Sequence, residues 1–415
     1  MINYYKYEDK YFFSFNKYNN LEKISEKEAK LNEGVLFFLN KLDPLNSRRS
    51  FLVNHPSLLF IENEGTRLFL LEDKSYNHIP NWLIEKIYKS LVISINTEYP
   101  NWKEILSINN KKKWKVNLVA LGDVGSTLLI GLRLLGGDCI EEIGIYDRNK
   151  NNLMRWEYEL NQIRRPFDEK SFPLVKSIMK EQLFDCNMFI FCASKGIPTI
   201  DSKVEDVRMA QFNSNSKIIR DYAIMARKDG FKGIFAVVSD PVDLLCKVAF
   251  LESNKNGKGE FDFKGLASDR IIGYGLGVMN GRACFYAEKH KETFNFLDEG
   301  RVFGPHGDGL IVANSIDNYD EKLSNYLTDK ALNANKEIRK LGFKPYVAPS
   351  LSSGALSIIS TIKGEWFYGS TYMGGAYMGA KCRLKNSEIE IEQLRLPEKL
   401  FDKINKIHER LVSII

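Results

Sequence analysis

The chain has 415 residues, so at about 150 residues per domain it holds two or three domains and not one small module. An apolar share of 44% can fill a sizeable core, and 59 basic against 53 acidic residues leave a net charge of only +6, which gives no electrostatic case for a nucleic-acid partner. No stretch approaches the 18 or so apolar residues of a membrane span, and the polar start from Met1 to Lys10 has no apolar segment or cleavage site; a cytoplasmic protein without a membrane partner is expected.

In chain order, residues 1–108 contain short aromatic strands (Tyr11–Phe15, Leu58–Glu62, Arg67–Leu71) and an amphipathic run, Trp82–Ile93. They read as a small α+β unit of undefined role. The stretch Asn109-Asn110-Lys111-Lys112-Lys113 reads as a linker, because a buried-strand pattern starts directly after it. Strands Val116–Leu121, Glu142–Asp147, Met188–Ala193 and Gly233–Ser239 then alternate with helices Gly125–Leu135, Asn151–Arg164 and Lys203–Lys228. Alternation of this kind predicts a parallel sheet with crossover helices. The third strand is apolar throughout, as expected where both faces are covered. From Ile271 the pattern loosens into a helix over Gly281–His290, a glycine-rich turn at Gly304–Gly309 and helices over Asp320–Leu341 and Pro397–Ile415. The six cysteines (Cys139, Cys186, Cys192, Cys246, Cys284, Cys382) are scattered without a CxxC pair, and the five histidines form no HxH or HxxxH pattern, so reduced thiols and no metal site are expected.

The first strand of the alternating region ends in Ala120-Leu121-Gly122-Asp123-Val124-Gly125-Ser126. Glycine is needed where backbone approaches a pyrophosphate and where helix packs on strand, and Gly122 and Gly125 occupy those places. Ala120 stands at the first glycine position, where a methyl is tolerable if the turn avoids positive φ. Asp147 closes the second strand, where a carboxylate can accept ribose hydroxyls and disfavours a 2′-phosphate, so NAD is the expected cofactor. Asp123 is out of character, since a carboxylate repels a pyrophosphate.

Three further segments, Val238-Ser239-Asp240-Pro241-Val242-Asp243, Ile271-Ile272-Gly273-Tyr274-Gly275 through Arg282, and Gly304-Pro305-His306-Gly307-Asp308, follow in order. With the glycine turn they make residues 114–415 resemble the lactate/malate dehydrogenase superfamily. The resemblance implies a homo-oligomer acting on a small-molecule carboxylate substrate. It implies His306 as the acid-base, Arg282 as the carboxylate anchor, Ser352 as a substrate contact, and Gly122, Asp123, Val124, Gly125, Asp147, Ala193, Ser194 and Ser239 around the cofactor. The departures from the family pattern matter equally. The aspartate that orients the histidine is replaced by Met279, and an asparagine that touches substrate by Asp240, which could support His306 or meet a cationic group on the substrate. The loop Ser194–Lys203 lacks the usual arginine, and Lys203 falls in its place.

The expected architecture is α/β: an N-terminal accessory α+β domain with its linker (1–113), an NAD-binding Rossmann domain (114–268) and a mixed α/β substrate domain (269–415). The expected activity is NAD-dependent hydride transfer to or from a carbon next to a carboxylate, on an atypical oxo, hydroxy, amino or imino acid or a larger presented substrate. The alternative is a non-catalytic NAD-binding protein whose first domain recruits a partner.

Overall fold

A computed structural model describes residues 2–72, 76–107, 112–195 and 207–415. The expected linker lies partly outside the described residues. Strands β1 (Asn3–Tyr7), β2 (Lys10–Ser14), β3 (Glu22–Ile24), β4 (Leu36–Asn40), β5 (Ser50–Leu52) and β6 (Val92–Asn96), with helices α1 (Glu26–Leu31) and α2 (Asn81–Tyr88), form the first unit. Its six strands make one mixed sheet in the order β3-β1-β2-β4-β6-β5.

The expected strands at Leu58–Glu62 and Arg67–Leu71 are instead single 3₁₀ turns, Pro56–Phe60 and Thr66–Phe69. Pro56 lacks a ladder donor and pre-sets the turn, and the His55 side chain accepts from the Ser57 N–H to cap it. Only the end of the second segment pairs: the Leu71 N–H donates to the Leu394 carbonyl at 3.0 Å.

Next come β7 (Trp114–Val119), α3 (Asp123–Leu135), β8 (Ile140–Tyr146), α4 (Lys150–Gln162), β9 (Leu174–Ser177), β10 (Met188–Phe191), α5 (Val207–Lys228), β11 (Ile234–Val237), α6 (Val242–Ser253), β12 (Ile271–Gly273) and α7 (Leu276–Ala287). The chain finishes through α8 (Phe296–Glu299), β13 (Arg301–Phe303), β14 (Ile311–Ala313), α9 (Glu321–Lys340), a π-helical segment (Pro349–Leu356), α10 (Ser357–Lys363), β15 (Phe367–Met373), β16 (Ala376–Lys385), β17 (Glu388–Ile391) and α11 (Glu398–Ile414). One nine-stranded sheet runs β17-β16-β15-β12-β11-β10-β7-β8-β9. Its parallel part, β9-β8-β7-β10-β11-β12, has the strand order of a Rossmann fold.

The expected boundary at 268 therefore cuts this sheet between β11 and β12, and the last strands extend it antiparallel from β12 through β15. The antiparallel strands β15–β17 add to what the sequence pattern predicts; their turns are Gly374-Gly375 and Asn386-Ser387, all at positive φ, the chemistry that two-residue hairpin loops demand.

All four residues of β10, Met-Phe-Ile-Phe, are fully buried between parallel neighbours. In α11, Leu400, Ile404, His408 and Leu411 are buried at helical spacing, so this helix presents one face inward. A single apolar cluster joins Phe13, Phe38 and Phe69 of the first unit to Leu118 and Ile190 of the parallel sheet and Leu400 of α11. Among the described residues no helix is long and apolar enough to cross a membrane.

Candidate active site

At the end of β7 the chain turns sharply into α3. Ala120 adopts φ +72°, contrary to the expectation that an alanine here implies a turn without positive φ. A Cβ on Gly125 would stand 2.0 Å from the Ala120 carbonyl oxygen, so the helix meets the strand here in a contact that only glycine admits. Gly122 faces open space, with nothing within 4 Å of where a Cβ would be. It also caps α3 without any side-chain acceptor, so the first-turn N–H groups, including those of Asp123 and Val124, keep their capacity for an anion. The Asp123 carboxylate would oppose that anion, but Lys344, on the segment after α9, places Nζ 3.0 Å from its Oδ2. Asp147 is held at the end of β8, its Oδ2 accepting the Leu121 N–H and its Oδ1 the Asn149 N–H, each at 2.8 Å. Helix amides for a pyrophosphate and a fixed carboxylate for a ribose are the donor and acceptor set that a dinucleotide requires.

The loops after β10 and β11 are tied together. Ser239 Oγ donates to the Ala193 carbonyl at 2.8 Å. Asn215, fully buried on α5, donates to the Asp240 carbonyl at 2.8 Å, accepts the Lys195 N–H at 3.0 Å and stands 3.4 Å from Ser194 Oγ. It fixes the backbone that carries Asp240. Lys203 lies outside the described residues.

His306 sits on the turn between β13 and β14, which positive-φ glycines close at Gly304 (φ +91°), Gly307 (φ +136°) and Gly309 (φ +94°). Arg410 of α11 clamps this turn, donating to the Asp308 carboxylate and to its carbonyl, both at 2.9 Å. His306 Nδ1 lies 3.2 Å from Asp240 Oδ1. The family's usual partner position, Met279, is buried and apolar, with Sδ 3.4 Å from Arg282 Nη1. A carboxylate thus meets the imidazole, but it comes from the β11–α6 loop and not from the helix.

Arg282 lies across from α9, where Nη2 donates to Asn335 Oδ1 and Nη1 is 3.4 Å from the Ala331 carbonyl. Burial holds its guanidinium below the usual arginine range, and the Asp240 carboxylate pushes it back up. Ser352 belongs to the π-helical segment, and its Oγ is 3.8 Å from where a Cβ on Gly281, the residue before Arg282, would stand. Arg282 and Ser352 line the same cleft of about 1290 Å³, bounded by α7, α9 and residues 341–349.

Three residues of this constellation carry no sequence signal. Asn215 lies in the polar run Asn213-Ser214-Asn215-Ser216, which reads as solvated; Arg410 and Lys344 read as ordinary surface cations. Only the closure of the fold brings each of them to the site.

No protein-family model matches the chain. It is 27% identical over 263 residues to L-lactate dehydrogenase 1 of Lactobacillus acidophilus, covering 62% of this chain and 72% of that protein. The minor L-lactate dehydrogenase of Enterococcus mundtii, in its ligands-bound form, superposes with a TM-score of 0.59 at 21% identity, over 72% of this chain and 97% of that one. The malate dehydrogenase of Archaeoglobus fulgidus in complex with NADH gives 0.56 at 18% identity, again over 72% and 97%. At these identities the structural likeness speaks for the fold. The sequence relatives, together with the nine-stranded sheet and the order of its motifs, support a divergent relative of the lactate and malate dehydrogenases.

Proposed function

We propose that the protein is an NAD-dependent oxidoreductase that moves a hydride to or from a carbon next to a carboxylate, on a 2-oxo or 2-hydroxy acid. The observation that carries this reading is the 3.2 Å approach of His306 Nδ1 to Asp240 Oδ1. An acid-base histidine works only if its ring is oriented and its cation has a neighbour to stabilise it. The substitution at Met279 removes the usual partner, and Asp240 supplies another.

When bound, the nicotinamide supplies or accepts the hydride. The chain's own residues do the rest. The uncapped amides of α3 and the Asp147 carboxylate hold the dinucleotide, and Asp147 selects against a 2′-phosphate. Ala193, Ser194 and Ser239 line the loops beside it. With Nδ1 turned to Asp240, proton exchange with the substrate oxygen falls to Nε2 of His306. Arg282, anchored on Asn335, keeps its charge in spite of burial and takes the substrate carboxylate, a task suited to its planar fork. Ser352 stands at the same cleft as a further polar contact. Asp240 is engaged with the imidazole, which weighs against its binding an amine on the substrate.

The test is turnover and NADH binding in His306→Ala. Loss of turnover by at least about 10²-fold, with NADH affinity within about twofold of the wild type by fluorescence titration, is expected. Retained turnover would overturn the acid-base assignment, and absence of NADH binding by the wild type would overturn the whole reading.

A further inference from the structure

The cleft that Arg282 and Ser352 line has a volume of about 1290 Å³. That exceeds the roughly 300–1,000 Å³ of ordinary small-molecule pockets and is far beyond what a three- or four-carbon acid fills. Its chemistry is divided. Arg282 lines it together with Lys289, Lys330 and Lys344 and the carboxylates Asp329 and Glu337, whereas Phe285, Ile338, Phe343 and Val347 bring apolar side chains to the same space. These apolar residues are exposed to between 41% and 70%, so they are uncovered side chains along the cleft and not packed core.

From a carboxylate anchor opening directly onto an apolar cleft, we infer that the substrate is a 2-oxo or 2-hydroxy acid with a bulky apolar, aromatic-sized side chain, held by Arg282 at the acid and by Phe285, Ile338, Phe343 and Val347 along the side chain. The assignment rests on the dehydrogenase reading above and narrows it. A short acid would leave this surface wet and its apolar area without reward. A large one removes that area from water at about 25 cal/mol per Å².

The experiment measures NADH oxidation with pyruvate, oxaloacetate, 4-methyl-2-oxopentanoate and phenylpyruvate. The expected kcat/KM rises along the series from pyruvate to phenylpyruvate by at least about tenfold. In Ile338→Asp and Phe343→Ser, both at exposed positions where folding is tolerant, the phenylpyruvate-to-pyruvate ratio is expected to fall toward unity. Pyruvate or oxaloacetate as preferred substrate, or an unchanged ratio in both variants, would overturn the inference.

Calorimetric titration of the NADH-bound protein with hydrocinnamate reads the cleft apart from chemistry, since this acid has the carboxylate and ring but no reducible carbonyl. Binding of hydrocinnamate with no turnover of any 2-oxo acid would support the cleft assignment and overturn the dehydrogenase reading. Brisk pyruvate turnover without hydrocinnamate binding would do the reverse. A dimer in solution that becomes monomeric in Ile338→Asp would also overturn the inference, because a second copy would then be the occupant.

Discussion

The seam between the first sheet and the rest of the chain and the rim of the active site are both made of carboxylates facing basic side chains, but they differ in exposure. At the seam, Arg48 meets Glu64 at 2.9 Å with side chains 3% and 0% exposed. Asp269 lies between Arg49 (3.4 Å) and Arg270 (3.0 Å), and Arg270 reaches Glu388 at 2.8 Å, all nearly inaccessible. At the rim, His306 and Asp240 are 18% and 48% exposed, and Lys344 and Asp123 78% and 52%. Buried partners cannot leave each other without stranding a charge in low dielectric, so the seam is a fixed joint. Exposed partners exchange for water, substrate or phosphate at little cost, so the rim can do chemistry.

The largest effect expected from this contrast comes from the joint. Asp269→Asn leaves Arg49 and Arg270 short of a carboxylate and should cost about 3–5 kcal/mol of stability, measured by denaturant unfolding. Burial alone would raise the Asp269 pKa, but Arg49 and Arg270 overcome it and hold the carboxyl below its usual range. A depressed folded pKa contributes stability above the unfolded value of about 4, and that stability is lost as pH falls through the folded one; the gap between wild type and variant should narrow below about pH 4. Glu64 and Glu388, raised chiefly by burial, act in the opposite direction, and their contribution declines as pH rises. Because the joint and the core span both units, the wild type should unfold in one transition. Two resolved transitions in calorimetry would show the first sheet to be independent.

At the rim, Asp240→Asn should lower kcat by roughly ten- to a hundredfold while stability stays within about 0.5 kcal/mol, since it removes the imidazole's charged neighbour at an exposed position. An unchanged kcat would mean that Asp240 does not serve His306. A smaller effect is expected for Asp147→Asn, which keeps an acceptor oxygen for the Leu121 amide but loses the charge. The preference for NADH over NADPH should shrink by about tenfold in paired titrations, equivalent to about 1.4 kcal/mol.

The smallest and most specific test concerns the exposed pair at the dinucleotide turn. Lys344→Ala should weaken NADH binding roughly threefold by freeing Asp123 to repel the pyrophosphate, whereas once Asp123→Ala has removed that carboxylate the Lys344 change should have almost no further effect, so the double variant should bind like Asp123→Ala. High salt should shrink all three differences, as it does for any screened surface charge. Additive effects would show that Lys344 does not act through Asp123.

Local pattern determined much of this protein. The four strands β7, β8, β10 and β11 and the helices between them follow from apolar runs and helical spacing, because in a parallel sheet each strand's burial is written into its own residues. Gly125 was legible for the same reason, since a Cβ there would stand 2.0 Å from the Ala120 carbonyl oxygen, whereas Arg282 and His306 were read from the family resemblance and not from local pattern.

What only the tertiary structure decided is which distant groups meet. Asp123 and Lys344 are 221 positions apart and Arg49 and Asp269 220, and nothing in one member's neighbourhood encodes its partner; for Asp240, 66 positions from His306, the sequence left support of the imidazole and contact with a substrate cation both open. The same holds for the short strand β9 and the hairpin β15–β17, whose residues become strands by pairing with an edge that exists only once the rest has folded. Side-chain type sets what a residue can do, but the ladder register and the packing of α7, α9 and α11 set what stands beside it.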